Sequence, residues 1–198
     1  MIRAVLFDFD GTLTRPGSIN FRELKSLLGC PQDKAILEFI EGLEPAERRE
    51  DAFRTLVTVE LEAARRSLPN DGAEDLVRFL AVKGVGRGII SRNGRASIEE
   101  AMKNFTRITL EDFAVVLSRE NSGRPKPNPD GVLMAAEAFG IPPAELMVVG
   151  DYLFDVQAGN RAGAVTAFLT NGAQVPEMVA RPDRVVRSLM DLVEAFGP

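Results

Sequence analysis

Apolar residues along this chain follow two different periods. Short unbroken runs occur at residues 4–7, 88–90, 113–117, 147–149 and 164–169. Runs of that length without alternation suit strands covered on both faces. Between most of them the apolar positions recur at helical spacing. Residues 73–83 put Leu76, Val77 and Leu80 on one face, and Gly84 follows as a stop. Residues 130–139 follow Pro129 and end at Gly140, and residues 154–162 end at Gly163. Alternating strand and helix predicts an α/β fold with a doubly wound parallel sheet. A last helix over 187–196, with Leu189, Leu192, Val193 and Phe196 on its apolar face, is expected to pack onto it.

Residues 15–70 break this rhythm, because no strand-like run occurs there. Asn20, with Glu23 three residues on, predicts a capped helix whose face carries Phe21, Leu24, Leu27 and Leu28 and which ends at Gly29 and Pro31. A second helix carries Ile36, Leu37, Phe39 and Ile40 and ends near Gly42. A third carries Phe53, Leu56, Val57, Leu61, Ala64 and Leu68, with Pro69 as its stop. The expected organisation is a core of residues 1–14 and 71–198, with a small all-helical cap at 15–70 inserted after the first strand.

Composition narrows the chemistry. The chain has 198 residues, 45% apolar and 27% charged, enough to bury a sizeable core. A net charge of −5 without a basic cluster argues against nucleic acid or an anionic membrane as partner. Histidine is absent and Cys30 is the single cysteine. That excludes a Ser-His-Asp or Cys-His site, His-ligated metal, a Cys-rich zinc site and an intrachain disulfide. The start of the chain does not read as a signal peptide, and no apolar stretch approaches the roughly 20 residues that span a bilayer. A cytoplasmic location is therefore expected.

Three of the apolar runs end abruptly in a polar residue: the first in Asp8, the second in Ser91, and the fourth, through Gly150, in Asp151. In open α/β sheets ligands bind beyond the carboxyl ends of the strands, so these residues should meet on one edge. Asp8-Phe9-Asp10-Gly11-Thr12 brings two carboxylates to one strand end, where hard oxygen donors suit magnesium and Gly11 permits a tight turn. Asp155 follows Asp151 by one helical turn. Lys126, between Pro125 and Pro127, offers a positioned ammonium that can offset charge on a carboxylate and on phosphate. Ser91 can donate a hydrogen bond to phosphate, and Arg92 and Asn93 stand beside it.

In this order the residues resemble the haloacid dehalogenase superfamily. Asp8-Phe9-Asp10-Gly11-Thr12 is similar to its first motif, DxDGT. Ser91 matches the second, Lys126 the third, and Asp151 with Asp155 the GDxxxD form of the fourth. The stretch 155–164 resembles the phosphoglycolate phosphatase-like branch. The resemblance implies a first strand flanked by the strands that bear the second and fourth motifs. It further implies a magnesium-dependent phosphatase acting on a small phosphorylated metabolite. Asp8 would be the nucleophile that forms an aspartyl-phosphate, and Asp10 the acid and then the base. Ser91, Arg92, Asn93 and Lys126 would bind phosphate. Asp8, Asp10 through its backbone carbonyl, Asp151 and Asp155 would hold Mg2+. Two alternatives stay open: a sugar-phosphate mutase of the same superfamily, and a phospho-ligand-binding protein without turnover.

Overall fold

A computed structural model describes residues 1–175 and 180–197 of the chain. Its strands are β1 (Ala4–Phe7), β2 (Gly86–Ile90), β3 (Val115–Leu117), β4 (Leu146–Gly150), β5 (Val165–Leu169) and β6 (Arg184–Val186). Its helices are α1 (Phe21–Leu28), α2 (Ile36–Glu41), α3 (Ala46–Arg66), α4 (Ala73–Val82), α5 (Arg95–Met102), α6 (Asp130–Phe139) and α7 (Leu153–Ala162). The strands form one parallel sheet in the order β3-β2-β1-β4-β5-β6. This is the predicted α/β, doubly wound arrangement. Phe7 at the end of β1 pairs with Ile89 on one side and Val149 on the other. Asp8, Ser91 and Asp151, just past those positions, therefore leave the sheet at nearly one level.

The sheet is covered on both sides, which explains its unbroken apolar runs. Val5, Phe7, Ile89, Met147, Val149, Ala167 and Leu169 join one core cluster, together with Leu76, Leu80, Ile98 and Met102 from α4 and α5. Ala4, Leu6, Ile90 and Val148 join the other, against Val132, Ala135, Ala136 and Ala158 of α6 and α7. Burying such a large side chain contributes about 1.5–3 kcal/mol.

The chain leaves and re-enters this core at one place. Thr14 bridges Pro69 antiparallel, Arg15 N–H donates to Leu68 O at 2.9 Å, and Asn70 N–H donates to Leu13 O at 2.8 Å. Between them α1, α2 and α3 surround a separate cluster containing Leu24, Ile36, Leu37, Ile40, Ala52 and Leu56. The longest of these helices, α3, also reaches the core: it packs along α5, and its Ala64 belongs to the first core cluster.

Several expectations need correction. Of the four apolar residues predicted to share the inner face of α1, Leu24 alone is fully buried, whereas Phe21 and Leu27 are 53% and 66% exposed. Helix α3 ends at Arg66, so Leu68 lies beyond it and is 55% exposed. The C-terminal segment Leu189–Phe196 is a 3-10 helix that buries Leu189 and Leu192 as expected. Neither α5 nor β6 was foreseen. The first is only eight residues long and half polar, and the second is a three-residue edge strand with one buried position. No helix among the described residues is long and apolar enough to cross a membrane.

Candidate active site

Beyond β1 the backbone makes a wide helical turn over Phe9–Leu13 that is broken at Asp10 and Gly11. Gly11 takes φ 78°, a conformation that disfavours any side chain, and a Cβ there would overlap the Asp151 carboxylate. Gly150 is constrained in the same way, since a Cβ there would overlap Asp155. Both glycines therefore let carboxylates approach the strand ends closely. Gly150→Ala is expected to cost about 1–3 kcal/mol of stability by overpacking, read as a lower urea midpoint.

Asp8, Asp151 and Asp155 each present an oxygen such that the three lie within 4.8 Å of one another. The Lys126 ammonium, buried with the residue only 4% exposed, donates to Asp8 Oδ1 at 2.5 Å, Asp155 Oδ1 at 2.6 Å and Ile90 O at 3.1 Å. The second oxygen of Asp155 accepts from Tyr152 N–H at 3.2 Å. When all three are ionised, these carboxylates exceed the one ammonium by two negative charges, the charge of one divalent cation. Burial, and then the charge of Asp8, push Asp151 up to about 8. Burial raises Asp155 to about 6 against the opposing pull of Lys126. Burial works to lower the Lys126 pKa, but Asp155 and Asp8 outweigh it and the group stays charged. An all-oxygen, over-negative, buried donor set fits a hard cation such as Mg2+.

Asp10 points into the same cavity. Its carboxyl is raised to about 7 by burial, then by the charges of Asp8 and Glu60. A side chain poised near neutrality can both give and take a proton at working pH. Its Oδ2 accepts a hydrogen bond from the Asn93 side-chain amide. Its carboxylate is not part of the three-residue cluster.

The cavity holds about 280 Å3 and is lined by Asp8, Asp10, Ser91, Lys126, Asp151 and Asp155 from the core. Its opposite wall includes Phe21, Lys25, Ile36, Leu37, Leu56 and Glu60 from the inserted helices. Ser91 is buried at the end of β2, and its Oγ accepts from Asn93 N–H at 3.1 Å. The Arg92 guanidinium is engaged elsewhere. It donates to Glu38 Oε2 at 2.6 Å and to Lys126 O, and stacks over Phe154 with 5.0 Å to the ring centroid. All the residues read from the sequence as site candidates line this one cavity.

Four further residues shape the site without a local signal in the sequence. Asn171 donates to Gly11 O at 2.8 Å from a left-handed backbone conformation, φ 51°. Asn70 donates to Thr12 O and to Asn171 Oδ1, each at 2.9 Å. Glu60, buried on the cavity wall, forms an ion pair with Arg119 behind it, Nη1 to Oε1 at 2.7 Å. Only the tertiary arrangement brings these pairs together, since each joins residues far apart in the chain.

Comparison with known proteins agrees with this picture. The haloacid dehalogenase-like hydrolase family matches residues 14–169. An uncharacterized hydrolase of Saccharomyces cerevisiae is 34% identical over 196 residues, covering 98% of this chain and 88% of its own. The phosphoglycolate phosphatase of Escherichia coli is 30% identical over 125 residues, covering 62% of this chain and 49% of its own. The crystal structure of a hydrolase from Pseudomonas syringae superimposes with a TM-score of 0.81 at 20% identity, covering 96% of each chain. With its parallel sheet, its strand-end carboxylates and a family match over most of its length, the chain belongs to the haloacid dehalogenase-like hydrolases.

Proposed function

We propose that this hydrolase is a magnesium-dependent phosphatase that cleaves a small phosphomonoester through an aspartyl-phosphate on Asp8. One observation carries the reading. Asp8 ends the central strand at a cavity floor, with a buried ammonium on one oxygen and two further carboxylates close by.

Asp8, Asp151 and Asp155 would hold the cation, with the backbone carbonyl of Asp10 as a further donor. When bound, magnesium supplies positive charge that offsets the carboxylates and the phosphoryl oxygens. In the first half-reaction an Asp8 oxygen bonds to phosphorus and the bond from phosphorus to the leaving oxygen breaks. Asp10 delivers its proton to that oxygen. In the second, Asp10 takes a proton from water, the water oxygen bonds to phosphorus, and the Asp8–phosphorus bond breaks to release phosphate. Lys126 and Ser91 stabilise charge on the phosphoryl group in both steps. Residues 15–70 act as the cap, which excludes bulk water and contacts the leaving group through the cavity wall.

The test is phosphate release from a panel of phosphorylated metabolites and one aryl phosphate, with magnesium and with a chelator. Release that falls to background with chelator and returns on adding magnesium supports the reading. A folded, magnesium-loaded protein that releases no phosphate from any of them would overturn it.

A further inference from the structure

Glu60 is a buried carboxylate on the cavity wall that the reaction above does not use. It sits on α3 and is 3% exposed. Both oxygens are engaged. Arg119 donates to Oε1 at 2.7 Å and to Oε2 at 3.1 Å, and Gly94 N–H donates to Oε2 at 3.3 Å. Arg119 lies just past β3, on the core side, and holds the neighbouring loop as well. Its Nη1 donates to Arg92 O at 3.4 Å and its backbone N–H donates to Asn93 O at 2.9 Å. A Cβ on Gly94 would stand 2.9 Å from Arg119 Nη2, so the loop backbone is pressed against the guanidinium.

The ion pair thus grips the backbone at residues 92 and 94, and the Arg119 backbone N–H holds residue 93 between them. Those residues carry the site. Asn93 N–H donates to Ser91 Oγ at 3.1 Å, and the Asn93 side-chain amide donates to the Asp10 carboxylate. A continuous path of hydrogen bonds therefore runs from α3 through Arg119 and the loop to the group that moves the proton. Desolvating two charges offsets most of what a buried pair contributes to stability, so stability alone is a weak reason for one here.

We propose that Glu60 and Arg119 are positioning residues that hold the 91–94 loop so that Asn93 aims the Asp10 carboxyl at the leaving oxygen. The inference rests on the reading of Asp10 as the proton donor and adds what orients it. On this account α3 is a fixed wall of the site as well as part of the cap.

The chemistry of the leaving group separates this role from a merely structural one. When phosphorus passes to Asp8, an alkyl ester must expel a strongly basic alkoxide and needs the Asp10 proton as the bond breaks. 4-Nitrophenolate delocalises its charge and departs without it. We would measure kcat/KM, which reports steps up to aspartyl-phosphate formation, for Glu60→Gln on 4-nitrophenyl phosphate and on an alkyl monoester from the panel. The expected result is a roughly 10- to 100-fold fall on the alkyl ester, the cost of a misaimed acid, with the nitrophenyl ester near its wild-type value. Arg119→Lys loses the fork but leaves in place the Glu60 charge, which helps raise the Asp10 pKa. It should show the same selectivity to a smaller degree, and absence of that selectivity there would overturn the positioning role.

Equal falls on the two esters would overturn the proposal and leave the pair a structural tie between α3 and the core. If Glu60→Gln does not fold by circular dichroism, Asn93→Ala carries the same test, with selective loss expected and equal loss overturning it. Phosphate release that persists in Asp8→Asn would instead defeat the underlying reading of Asp8 as the nucleophile and Asp10 as its acid, and the inference with it.

Discussion

Asp8→Asn is expected to lower phosphate release by roughly 10⁴- to 10⁶-fold, the scale seen when a nucleophile is removed from a working site. The amide is nearly isosteric but has no anionic oxygen to attack phosphorus. The fold should survive. Lys126 loses one carboxylate partner but keeps Asp155 at 2.6 Å. The negative charge of Asp8 also raises the pKa of Asp10, Asp151 and Asp155, so its removal relieves repulsion among the remaining carboxylates. The metal-free variant should therefore melt no lower than the metal-free wild type. Acid-quenched wild type should carry a phosphoryl group by mass spectrometry and the variant none. Turnover in a clean Asp8→Asn preparation would show that another group attacks.

Magnesium is the second large expectation. Saturating ion, at about 100 times its dissociation constant, should stabilise the folded state by about 2.7 kcal/mol. For a chain of this size that corresponds to roughly 5–11 °C in Tm. The effect should depend on pH with a definite sign. Asp151 is raised to about 8 and Asp155 to about 6, well above their value of roughly 3.9 in the unfolded chain. The metal-free folded state therefore binds more protons than the unfolded one across that window, and its stability falls as pH rises from about 4 towards 8. Ligation needs the ionised carboxylates, so the rise in Tm caused by magnesium should be larger at pH 8 than at pH 6. Asp151→Asn should lose most of it. Thermal melts with and without the ion read all four statements, and a magnesium effect unchanged in Asp151→Asn would remove that residue from the site.

Much of this was legible without coordinates. Strands covered on both faces leave unbroken apolar runs, and a residue that must sit at their carboxyl end interrupts the run sharply. Asp8, Ser91 and Asp151 stood out for that reason, and the central strand proved to be flanked by the two strands expected. Phe21 on α1 misled because an apolar residue at a cavity mouth follows the same spacing as one in a core. Phe21 lines the cavity and stays half exposed.

What the chain determined by itself is the set of elements and the chemistry at their ends, because periodicity, glycine stops and strand-end carboxylates are local properties. What only the tertiary structure decided is which distant polar groups share a partner. Asn70 with Asn171, Glu60 with Arg119 and Arg92 with Glu38 each lie on elements remote in sequence. Charged and amide side chains carry no periodic signal of their mates. Their pairing is fixed only when packing of apolar faces has brought the elements together and excluded the water that would otherwise serve them.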